Sequence, residues 1–181
     1  AKKLAEAKVG TDLSVRVKRP ATLAFVTLDN GQAKYAFYDE NTALRGLQQG
    51  ELPIVPQQCT AGYFGGISLI GEPCGSAFES LMERMHAHNV VMMDPTSRTS
   101  FISDEAGYRA RISRMLKHCD IVKFSDEDFE WLFPGLSFAE AAKQMFAHGM
   151  KIVLITRGSD RPLALTPGFE VDVPAIQVEV A

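Results

Sequence analysis

From residue 60 onward, short apolar runs recur, each followed by a stretch long enough and amphipathic enough to be a helix. NVVMMDP, DIVKF and KIVLIT are apolar almost throughout rather than strictly alternating, the pattern of strands buried on both faces. TAGYFGGISL reads as one more strand entering a loop. Between these runs, residues 73–88 predict a helix with Pro73 at its first turn. Residues 104–118 predict another, with Ala106, Ile112, Met115 and Leu116 on its apolar side. Ser125 with Asp128, and Ser137 with Glu140, have the spacing of capping boxes that open two further helices. Short β-runs are expected again within 162–180. Repeated β-α units of this kind specify an α/β domain, a parallel sheet sandwiched between helices.

The first 60 residues follow a different rhythm. AKKLAEAK reads as a helix tail stopped near Gly10. LSVRVKR alternates Leu13, Val15 and Val17 against polar neighbours, which predicts a half-buried strand. ATLAFVTL and AKYAFY follow, separated by Asp29-Asn30-Gly31-Gln32, and Asn-Gly between β-rich runs signals a hairpin. Residues 13–38 are thus expected to form a thin antiparallel ribbon that lies over something else, since so few strands are not stable alone.

Composition narrows the partners. A net charge of −3 gives no electrostatic reason to expect nucleic acid or an anionic membrane. No apolar run approaches the roughly 20 residues of a membrane span. Cys59, Cys74 and Cys119 are odd in number and lack metal-ligand spacing, which fits free thiols in a reducing cytoplasm. Chain length suits one sizeable domain or part of a larger one, and a first residue of Ala within a helix-like stretch leads us to expect the latter.

In open α/β sheets, ligands bind beyond the carboxyl ends of the strands. That rule selects GGIS (65–68), DPTSR (94–98), KFSDED (123–128) and TRGSD (156–160), which together offer carboxylates, hydroxyls, two arginines and a lysine. The inventory suits a polyanion and a metal. Each stretch also has a plain reading. Asp94-Pro95 is a common turn, Ser125 and Asp128 are accounted for as helix caps, and Thr156-Arg157-Gly158 serves equally as an exit turn or a phosphate loop. The four histidines fall near helix ends and form no metal-ligand pattern. The chain has no GxxxxGK[ST] loop, GxGxxG turn, GxSxG elbow or CxxC pair.

Read in order, five stretches resemble the ribokinase-like (PfkB-type) carbohydrate kinases, bacterial fructokinases in particular: RPATLAFVTLDNGQAKYAFYDENTA (19–43), YFGGISLIGEPC (63–74), MDPTSR (93–98), DIVKFSDEDFEWL (120–132) and VLITRGSD (153–160). The resemblance implies a three-layer α/β sandwich with a mostly parallel sheet and a small β-lid. Residues 13–45 would form the lid ribbon, and 1–12 with 46–181 part of the kinase domain. It implies ATP-dependent phosphorylation of a small sugar hydroxyl, with ATP and Mg²⁺ as cofactors. A homodimer through the lid, in the cytoplasm, is expected, with no nucleic-acid or membrane partner. Lys123, Ser125, Thr156, Arg157, Gly158 and Ser159 are the implied nucleotide-binding residues. Phe37, Tyr38, Asp94 and Arg98 are the implied substrate residues, and Asp128 would reach the metal through water.

No catalytic residue is assigned, because the family's base belongs to a Gly-Ala-Gly-Asp turn expected after Ala181. The chain is accordingly read as a central segment, incomplete at both ends, inactive and poorly stable by itself. Thr96, Asp128 and Arg161 depart from the family's usual Asn, Glu and Gly. Asp39 stands where 2-keto-3-deoxygluconate kinases tend to carry arginine, which argues for a neutral sugar. The alternatives are a 2-keto-3-deoxygluconate or ribose kinase, a non-catalytic sugar- or nucleotide-binding protein of the same fold, or an unrelated doubly wound domain whose ribbon serves only dimerisation.

Overall fold

The computed structural model describes residues 2–29, 32–158 and 160–174. A short helix α1 (Lys2–Glu6) precedes an antiparallel ribbon of β1 (Leu23–Asp29) and β2 (Gln32–Tyr38), paired from Leu23↔Tyr38 to Asp29↔Gln32. The Asn30-Gly31 turn lies outside the described residues. LSVRVKR is not a strand. Among the described residues its alternating Leu13, Val15 and Val17 have no ladder partner, and they instead line an apolar groove of about 500 Å³ with Leu44, Leu47, Phe78 and Leu81. A two-residue period reports a one-sided apolar contact, and here a groove supplies it in place of a sheet.

The main body follows as β3 (Ala61–Gly65), α2 (Cys74–Met85), β4 (Val90–Asp94), α3 (Glu105–Leu116), β5 (Ile121–Ser125), α4 (Asp126–Leu132), α5 (Phe138–Ala147), β6 (Ile152–Thr156), β7 (Leu163–Leu165) and β8 (Glu170–Asp172). One sheet runs β3-β4-β5-β6-β7-β8, parallel through β6 and antiparallel afterwards. This is the expected mostly parallel α/β sheet, and the 162–180 β-runs are β7 and β8 as far as residue 174.

Strand order explains where the core sits. Parallel neighbours joined in sequence by right-handed crossovers place every connecting helix on the same face. Val91, Met93, Val122, Phe124, Val153 and Ile155 point to that face and are buried with Met82, Ile112, Met115, Ala141, Ala142 and Met145 of the helices. The other face carries Tyr63, Met92, Ile121, Ile152, Lys123 and Leu154, all exposed or half-buried. Both strand faces read as apolar in the sequence, yet the described helices cover one.

The predicted helices form, and side chains cap α3, α4 and α5 but not α2. Asp104 accepts from Gly107 N at the start of α3, and Ser137 with Glu140 makes a full capping box on α5. Ser125 accepts from Asp128 N, but Asp128 does not return the bond to Ser125 N, so that pair is only half a box. On α3 the buried side differs from the expected one at one end: Ala106 is exposed, whereas Tyr108 and Arg111 are buried.

Candidate active site

The carboxyl edge of the sheet gathers two of the four strand-exit stretches, DPTSR and KFSDED, into one polar network with Tyr63 of β3. Gly65, at the end of β3, lies so close to β4 that a Cβ there would sit 2.6 Å from the Asp94 carbonyl oxygen. That approach sets the Tyr63 hydroxyl against Asp94 Oδ2 at 3.3 Å. Lys123 Nζ, from β5, donates to the same oxygen at 3.1 Å, and Thr96 Oγ1 donates to Oδ1 at 3.1 Å. Nearby negative charge and burial both raise the Tyr63 pKa, burial being the larger cause, so the phenol stays a donor. Asp94 thus serves as an anchor whose oxygens are both engaged. Lys123 spends one of its three N–H donors on it and keeps the others.

Asp128 is 9% exposed and acts as the second anchor. Its Oδ1 accepts from Ser97 N at 2.7 Å, and its Oδ2 accepts from Ser125 Oγ at 2.7 Å. One carboxylate therefore ties the DPTSR loop to the first turn of α4, where the helix dipole also favours a negative charge. From beneath, Tyr108 Oη donates to Pro95 O at 3.1 Å. Burial above all, with the negative charges of Asp128 and Asp94 adding to it, pushes this phenol up to about 12. The loop is thus pinned from two sides before any ligand arrives.

Arg98 leaves that pinned loop and lies with its guanidinium carbon 5.0 Å from the centre of the Tyr35 ring on the ribbon. Phe37 stacks beside Tyr35 at 5.9 Å and meets Phe101 at 5.3 Å. Pairing in β1–β2 puts Tyr35 and Phe37 on this inner face. Tyr38 lies on the opposite face with Leu23 and Phe25, edge-on to Phe25 at 5.5 Å. Phe37 and Tyr38, read together as substrate residues, therefore point opposite ways. Adjacent strand residues cannot share a face.

TRGSD divides similarly. Thr156 Oγ1 donates to Phe124 O at 3.2 Å, and Gly158 takes a left-handed φ of 56°, in a turn closed by Asp160 N to Arg157 O at 2.9 Å. Arg157 turns away from the β5 exit to pair with Asp172 Oδ1 at 2.7 Å, and Arg161 approaches the same carboxylate at 3.6 Å. Ser159 lies outside the described residues. Asp39 is buried and pairs with Arg45 at 3.2 Å. Its charge is satisfied inside the chain, which removes the inference from Asp39 to a neutral sugar.

Sequence reading missed Tyr35, Tyr63, Ser97, Tyr108 and Arg111. Tyr35, Tyr63 and Ser97 lie within the matched stretches without an implied role, and Tyr108 and Arg111 lie outside them; each is defined by a partner 30 or more residues away or by burial. Arg111 is the clearest case. Its guanidinium donates to Leu69 O and Ile70 O at 2.9 and 3.3 Å, pairs with Glu72 and approaches Glu79, fastening the loop after β3. Its Nε is buried without a hydrogen-bond partner, and burial lowers its pKa.

Among the described residues no group of three His, Cys, Asp or Glu side chains could hold a metal ion. Asp128, with both oxygens engaged, does not fit direct coordination. No helix among the described residues is long and apolar enough to cross a membrane.

A mostly parallel sheet, its helices on one face and its polar network at the carboxyl edge, under an aromatic ribbon, defines a ribokinase-like α/β protein. The chain belongs to the pfkB family of carbohydrate kinases, whose model matches residues 1–181. It is 45% identical to a fructokinase of Rhizobium leguminosarum bv. trifolii over 162 residues, 90% of this chain and 50% of that protein. It is 31% identical to fructokinase-2 of Oryza sativa subsp. japonica over 86% of this chain and 48% of the relative. The chain thus spans about half the length of the curated relatives it matches. Among solved structures, fructokinase with bound ATP from Xylella fastidiosa superposes with a TM-score of 0.88 at 22% identity, covering 99% of this chain and 57% of that one. Vibrio cholerae fructokinase in its fructose-, ADP- and calcium-bound form gives 0.81 at 22% identity, over 98% and 58%.

Proposed function

We propose that the chain supplies the sheet edge, ribbon and part of the nucleotide site of an ATP-dependent fructokinase-type sugar kinase. The observation carrying this reading is the anchored pair Lys123 and Arg98 at the carboxyl edge of the sheet, facing an aromatic ribbon, in a chain 45% identical to a fructokinase. Phosphoryl transfer to a sugar hydroxyl is mainly a matter of positioning and charge neutralisation. Lys123 and Arg98 offer fixed cations, Thr156 and Gly158 a turn at the exit of β6, and Phe37 an apolar wall for the sugar. The ribbon, acting as a lid, would exclude water from the transfer.

Magnesium would enter with the nucleotide, held by phosphate oxygens and water as this ion prefers, and would neutralise developing phosphate charge. Asp128 then acts by fixing the DPTSR loop. The outer ribbon face, with Leu23, Phe25 and Tyr38 at 53%, 56% and 63% exposure, suits pairing with a second copy. A cytoplasmic setting agrees with three free thiols.

The test is a coupled ADP-release assay on the full-length protein with fructose, ribose and 2-keto-3-deoxygluconate. Fructose should give the highest kcat/KM, and no turnover with any sugar refutes the reading. Residues 1–181 alone, which contain no Gly-Ala-Gly-Asp turn, should be inactive.

A further inference from the structure

The ribbon touches the loop after β4 through Arg98 and Phe37, both expected at the site, and through Tyr35 and Phe101, to which the sequence gives no role. Arg98 lies over the face of Tyr35, Tyr35 is stacked on Phe37, and Phe37 meets Phe101 at the end of the same loop. The loop itself is held independently of the ribbon by Asp128 on Ser97 N and by Tyr108 on Pro95 O. Among the described residues, Arg98 makes no salt bridge or side-chain hydrogen bond, so the aromatic face is its observed restraint. A ring face attracts a guanidinium without using its N–H groups. It orients the fork and leaves all five donors for an anion. The contrast with Arg157 is direct, since that guanidinium is already committed to Asp172.

The geometry points to Tyr35 as a positioning residue: its ring presents Arg98 to a phosphate group, so that seating of the ribbon and anion binding favour each other. This rests on the kinase reading for the identity of the phosphate, though not for the contact itself. Coupling of this sort is reciprocal. A seated ribbon should tighten phosphate binding at Arg98, and bound phosphate should hold the ribbon down. The ring carries the effect and the Tyr35 hydroxyl does not, so phenylalanine should replace it. Leucine keeps the apolar contact but removes the face.

Two measurements on the full-length protein test this. In the first, the Arg98 Nε–Hε resonance, assigned by its loss in Arg98→Met, is followed while inorganic phosphate is added. Tyr35→Phe should bind phosphate within about twofold of wild type, and Tyr35→Leu should bind it about twofold to tenfold more weakly. The resonance should also lose its ring-current displacement in Tyr35→Leu alone. In the second, kcat/KM for sugar phosphorylation is compared across Tyr35→Leu, Arg98→Met and the double variant. The double variant should be no worse than Arg98→Met. Equal phosphate affinity in wild type and Tyr35→Leu overturns the proposal, as do equal losses in Tyr35→Phe and Tyr35→Leu or fully additive kinetic losses. If wild type phosphorylates no sugar, the kinase reading fails, and the phosphate titration still decides the role of Tyr35.

Discussion

Replacing Asp128 separates a scaffold from a metal-water ligand. Its carboxylate holds Ser97 N and Ser125 Oγ at 2.7 Å each and is 9% exposed, so truncation leaves a backbone N–H in a site that water enters poorly. Each hydrogen bond to a charged group is worth roughly 1.5–3 kcal/mol, and two on one carboxylate are not additive. Asp128→Ala should therefore cost about 2–4 kcal/mol. Asp128→Asn keeps an acceptor for Ser97 N and gives Ser125 a donor in place of an acceptor, and should cost about 1 kcal/mol. Urea unfolding of the full-length protein, followed by fluorescence, measures both; the single tryptophan of this chain, Trp131, lies on the same helix as Asp128. In the kinetic assay Asp128→Asn should retain most of the activity, whereas a group acting through a metal-bound water would lose turnover with stability unchanged. A cost below about 0.5 kcal/mol for Asp128→Ala, or equal damage from both variants, would refute the scaffold reasoning.

Two further outcomes follow from buried groups near the same loops. Arg111→Met should destabilise by about 3 kcal/mol in urea unfolding, because Leu69 O and Ile70 O lose their donors while Glu79 keeps Arg114; a variant as stable as wild type would show that the methionine side chain compensates. Tyr108 is protonated in the fold up to about 12 against its ordinary 10.0, so the stability it contributes is complete below pH 10 and is lost as pH rises toward 12. Tyr108→Phe should give up about 1 kcal/mol at neutral pH for the bond to Pro95 O, yet unfold less steeply with pH in that window; parallel alkaline curves for the two proteins would contradict this.

The chain's local signals were legible because they are covalently local. Ser137 and Glu140 stand three residues apart and cap one helix; Pro73 opens α2; the runs VVMMD and IVLIT could hardly be anything but buried strands. LSVRVKR shows the limit of such reasoning, since alternation states that one side is apolar without saying what meets it. The four strand-exit stretches were legible as a set because parallel strands must end at a common edge.

What the sequence alone determined was the order of β and α units, the hairpin, most of the caps and the residue types available at the carboxyl edge. Their division of labour was decided by tertiary structure. Asp94 and Lys123 meet only because β4 and β5 pair in register, and Asp128 reaches Ser97 only because α4 starts beside the loop leaving β4. Arg98 faces Tyr35, while Arg157, an equally promising cation in the sequence, is consumed by Asp172. A charge or hydroxyl has no fixed role until its nearest partner is known, and these partners lie 15 to 63 residues away along the chain. Sequence specifies the donors and acceptors, and the packed strands determine which of them remain free.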